Sequence, residues 1–68
     1  MSKNELLESC LRLKKQLTNE QWKVAIHYQH ELNINLRPSG GARYYIPKNI
    51  TKKELKELQI IYLIALDC

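Results

Sequence analysis

Thr51-Lys52-Lys53-Glu54-Leu55-Lys56-Glu57-Leu58-Gln59-Ile60-Ile61-Tyr62-Leu63-Ile64-Ala65-Leu66 decides the architecture of this chain. Thr51 followed three residues later by Glu54 has the form of a capping box, in which two side chains satisfy each other's free backbone N–H groups at a helix start. Leu55, Leu58, Ile61, Tyr62, Ala65 and Leu66 then recur at helical spacing. From residue 60 to residue 66 every side chain is apolar. A helix that is apolar all round is normally covered on all sides, and a short chain has little else with which to cover it. The uncovered part of 60–66 is therefore expected to meet a second copy.

Working outward, the same start signal occurs twice more, at Ser2 with Glu5 and at Thr18 with Gln21. Three boxes predict three helices. The first spans about residues 3–16, with Leu6, Leu7, Cys10, Leu11 and Leu17 on its apolar side. The second spans about residues 19–33, with Trp22, Ala25, Ile26, Gln29 and Leu32 on one stripe and Trp22 as an anchor between helices. The third begins after Thr51. Between the last two lies Pro38-Ser39-Gly40-Gly41, a turn signal, and then Ala42-Arg43-Tyr44-Tyr45-Ile46, closed by Pro47. Two tyrosines and an isoleucine favour strand. Alternation puts Ala42, Tyr44 and Ile46 on one face and Arg43 and Tyr45 on the other. A lone strand leaves its backbone polar groups unpaired, and pairing with the same strand of another copy about a two-fold axis resolves this. The fold class is thus mainly α: one domain over residues 1–68, with three helices and one short strand between the second and third, paired across a homodimer. Tyr44, Ile46, Ile60, Ile61, Leu63 and Ile64 are the expected dimer interface.

Composition bounds the function. Sixty-eight residues form one domain, and a chain of this size buries only about 60% of its unfolded surface. Cys10 and Cys68 are the only cysteines, too few and too far apart for a zinc site. No apolar run reaches the length of a spanning helix, nothing at the N-terminus reads as a signal peptide, and a cytoplasmic location is expected. Net charge is +4, from eleven Lys and Arg against seven Asp and Glu. Residues 37–53 contain Arg37, Arg43, Lys48, Lys52 and Lys53 and no acid, so more than the whole surplus sits there. A patch of this kind attracts phosphates or acidic protein surfaces, although a merely solvated face has the same composition.

Gly40-Gly41-Ala42-Arg43-Tyr44-Tyr45-Ile46-Pro47-Lys48, with a helix on either side, resembles the Gly-Gly, Tyr-Ile-Pro segment of the Mor family of phage transcription activators. The similarity covers roughly residues 17–66. It implies a homodimer with intertwined N-terminal helices and paired strands facing DNA, Arg43 lying at the strand position that approaches the minor groove, where arginine is favoured. The family continues into a helix-turn-helix, whereas this sequence ends at Cys68, so the resemblance is to the dimerisation and strand region only. It implies a phage- or prophage-type regulator that contacts DNA through Arg37, Arg43, Tyr45, Lys48, Lys52 and Lys53. The alternative is an inhibitor gripping an acidic protein surface, such as a host defence or transcription complex, with the same residues.

Catalysis is not expected. His27, His30 and Glu31 lie together on the second helix, but in the order His-x-x-His-Glu, which matches no metalloprotease pattern. Glu31 at i+4 from His27 reads as a surface pair. Cys10 reads as a small buried hydrophobe. No catalytic residue, metal, cofactor or small-molecule substrate is expected, and no membrane partner.

Overall fold

The structure is a computed structural model and describes residues 2–34, 46–47 and 49–68. Among these described residues three helices follow one another: α1 (Lys3–Gln16), α2 (Asn19–Glu31) and α3 (Lys52–Leu66). Each starts at the expected capping box. Ser2 Oγ accepts from the Glu5 N–H at 3.3 Å, and the Ser2 N–H donates to Glu5 Oε1 at 3.3 Å. Hydrogen bonding to the carboxylate from the Ser2 backbone N–H first, and from the Ser2 side chain second, holds the Glu5 carboxyl below the usual carboxylate range. Thr18 and Gln21 repeat the exchange at 3.2 and 2.9 Å, and Thr51 and Glu54 at 3.1 and 3.2 Å.

α2 stops earlier than the expected residue 33. Asn33 adopts a left-handed conformation with φ 56°, which asparagine tolerates better than most residues. Its N–H donates to His30 O at 3.1 Å, and the Ile34 N–H reaches back to Gln29 O at 3.2 Å. This is a Schellman termination, and Ile34 beyond it is buried. The buried Gln29 reinforces the turn, its side-chain amide donating to Ile34 O.

α3 packs on both α1 and α2 and forms the centre of the molecule. Leu55, Leu58, Ile61, Tyr62 and Ala65 point inward, against Leu6, Cys10 and Leu17 at one side and Trp22 and Ala25 at the other. Trp22 and Tyr62 rings lie 6.0 Å apart, inclined at 37°, so Trp22 is the expected anchor. Gln59 Nε2 donates to Ser9 Oγ at 2.9 Å, and Gln21 Nε2 to Leu66 O at 3.1 Å, tying α3 to both neighbours.

Two side chains expected inside are exposed, Leu11 at 39% and Leu32 at 51%. Leu11 stands about 140° around α1 from Leu6, off the stripe that Leu6, Cys10 and Leu17 share. Leu32 falls at the helix cap, where the left-handed turn begins. The expected strand at 42–46 lies outside the described residues except for Ile46. Ile46 has irregular backbone and is half-buried against the chain's own core. Among the described residues there is no strand.

Candidate target-binding surface

The chain enters α3 from an anchored position. Ile50 is 3% exposed, and its N–H donates to Pro47 O at 3.2 Å. Thr51 then caps the helix, and its hydroxyl also donates to Glu54 Oε1 at 3.0 Å. With Ile50 held inside and Thr51 at the cap, Lys52 and Lys53 form the first exposed residues of α3. Neither is paired with an acid among the described residues. Both stand at the positive end of the helix dipole, where a cation costs about 0.3–1 kcal/mol instead of stabilising. Glu54 in the same turn offsets part of that cost. α1 has the opposite, favourable arrangement, with Glu5 in its first turn and Lys14 and Lys15 in its last.

Of the expected contact residues, Arg37, Arg43, Tyr45 and Lys48 lie outside the described residues, as does Tyr44 of the expected interface. The remaining interface residues divide. Ile60, Leu63 and Ile64 are 57%, 50% and 43% exposed, on the side of α3 that faces away from α1 and α2. Ile61 is 3% exposed within the chain's own core. Its expected place at a dimer interface is corrected, because a step of about 100° from Ile60 turns it inward. Ile46 likewise packs against the chain's own core. The sequence reading passed over Lys56 and Asp67, both exposed, at the two ends of the Ile60–Leu63–Ile64 patch. Their heptad spacing from Leu63 and Ile60 is the signal that would have found them.

Elsewhere, His27 Nε2 lies 3.4 Å from Glu31 Oε1 as an exposed i,i+4 pair. Among the described residues no group of three His, Cys, Asp or Glu is placed to hold a metal ion. Cys10 is fully buried, its thiol donating to Leu55 O at 3.4 Å, and desolvation pushes it up to about 11. A thiol that stays protonated is a poor nucleophile. Cys68 is exposed and donates to Ile64 O at 3.4 Å.

No family model, curated protein or solved structure matches the chain. Among the described residues no helix is long and apolar enough to cross a membrane.

Proposed function

We propose that this chain is a non-enzymatic, cytoplasmic regulator of the phage or prophage type that binds DNA as a homodimer through residues 37–53. The observation that supports the reading best is the acid-free run of five cations ending in Lys52 and Lys53, exposed where the helix dipole disfavours them. Cations kept at a site that destabilises the fold raise the local positive potential, and phosphates are the common ligand of such a field. The exposed Ile60, Leu63 and Ile64 support the dimer. In this reading residues 42–45 pair with their copy, and Arg43 and Tyr45 of both chains face the duplex beside Arg37, Lys48, Lys52 and Lys53.

Titrating duplex DNA at several salt concentrations tests this. Affinity should fall linearly on a log–log plot with salt, by about 0.9 in slope per phosphate neutralised. Arg43→Ala should weaken binding and reduce that slope by about one per subunit without changing stability. Absence of duplex binding at low salt would defeat the reading. If a protein partner were then retained after nuclease treatment and lost on Arg43→Ala, the same basic surface would be that of a protein-directed inhibitor.

A further inference from the structure

The outward side of α3 is ordered along its length. From the N-terminal end it presents Lys56, Ile60, Leu63 and Asp67, all exposed, with Ile64 beside them. Lys56 precedes Ile60 by four residues, and Leu63 precedes Asp67 by four. Both steps are the same rise of about 6 Å and the same turn of about 40° around the helix. If a second α3 lies antiparallel with Ile60 of each copy against Leu63 of the other, Lys56 of each copy meets Asp67 of the other. A single register satisfies both the apolar and the charged contacts.

We propose that this face is the two-fold seam of a homodimer, with antiparallel α3 helices, two Ile60–Leu63 layers at its centre and a Lys56–Asp67 ion pair at each end. The inference rests on the dimer proposed above and adds its surface, direction and register. Charge selects the direction. A parallel pair would gather Lys52, Lys53 and Lys56 of both copies at one end and both Asp67 residues at the other. The antiparallel pair sets opposite charges and opposite dipole ends side by side. Asp67 caps its own helix at the negative end, where an anion is disfavoured, and an antiparallel partner supplies the missing cation. Charge also selects the occupant, because the same surface supplies both halves of the match, as an isologous contact requires. Three half-exposed apolar side chains fall short of the roughly 800 Å² per partner buried by a standard interface. The seam alone therefore gives a weak dimer.

Disulfide trapping in the full chain tests the register, in a Cys68→Ser background that removes the exposed thiol and leaves Cys10 buried. Lys56→Cys and Asp67→Cys proteins are oxidised separately and as a mixture. The mixture should give a covalent dimer holding one chain of each kind. Neither protein alone should link, because like positions are about 16 Å apart along the seam. Self-linked dimers from each protein alone would mean parallel helices and would overturn the proposal, as would a mixture that never links. Lys56→Glu should raise the dimer dissociation constant about ten-fold, and adding Asp67→Lys should recover most of the loss. Failure to recover would overturn the register. Titrating duplex DNA into the same proteins separates the two readings. A seam that links in a protein that ignores DNA removes only the nucleic-acid reading. DNA binding without the seam removes only this one.

Discussion

Cys10 has no exposed surface, and its thiol donates to Leu55 O at 3.4 Å. Burial raises its pKa from 9.0 to about 11. Between those values the unfolded chain gives up the thiol proton while the folded chain keeps it, so stability must fall as pH rises through that window. Below pH 9 this residue adds no pH dependence. The expected loss is on the order of 2 kcal/mol by the upper end. Urea melts of the parent and of Cys10→Ala, compared at about pH 8 and about pH 10.5, isolate the contribution from lysine and tyrosine titration. The parent should lose more than the variant. At neutral pH an alkylating reagent should modify Cys68 promptly and Cys10 only after denaturation. Equal labelling of the two would show that the α1–α3 contact opens readily.

At the scale of the element, α3 holds most of the consequences. Ile60 and Ile61 are neighbours in sequence with opposite surroundings, 57% and 3% exposed. Ile61→Asp should cost several kcal/mol by burying an unpaired charge and should largely unfold the chain. Ile60→Asp should leave the circular dichroism spectrum and low-concentration melt nearly unchanged. If the two variants behaved alike, α3 would have no inner and outer side. At its first turn, Lys53→Glu replaces a disfavoured charge with a favoured one. It should stabilise the fold by about 0.5–1 kcal/mol in thermal melts while weakening binding to DNA. Gains in both measurements would remove Lys53 from the contact surface. The helix starts were legible in the sequence because a capping box is a local bargain between residues three apart, needing nothing from the rest of the chain. The inner side of 60–66 was legible by carrying the Leu55–Leu58 stripe forward to Ile61, Tyr62 and Ala65, all of which are buried. Reading the same stretch as apolar all round obscured that phase and put Ile61 at the dimer interface. Leu32 was misplaced for a different reason, since a left-handed Asn33 ends the helix and breaks the period being extrapolated. Of the proposed contact residues, the sequence marked the charges through the absence of acid over 37–53, and the exposed lysines at the start of α3 follow from the cap at Thr51.

For the whole molecule the question is whether one chain suffices. Among the described residues twelve hydrophobic side chains are buried in a single cluster around α3, so the folded chain has a core of its own. Yet Ile60, Leu63 and Ile64 leave part of the central helix in water, and a chain this short has little stability to spare. The proposed dimerisation through that face would link stability to concentration, because mass action favours a folded dimer as chains become more abundant. Where the dimer dominates, each ten-fold rise in concentration contributes about 0.7 kcal/mol per chain, half of the 1.4 kcal/mol worth of a factor of ten. For a domain of this size that corresponds to about 3–6 °C in Tm. Melts of the parent from roughly 1 to 100 µM should show this rise in the upper part of the range, since the weak seam is populated only there. Leu63→Glu should melt at one temperature throughout, close to the parent at its most dilute, because the substitution touches no core contact and removes only the partner. A parent whose Tm ignores concentration while it sediments as a folded 8.1 kDa species would show that the core alone is sufficient, and the exposed side of α3 would then have to be explained without a second copy.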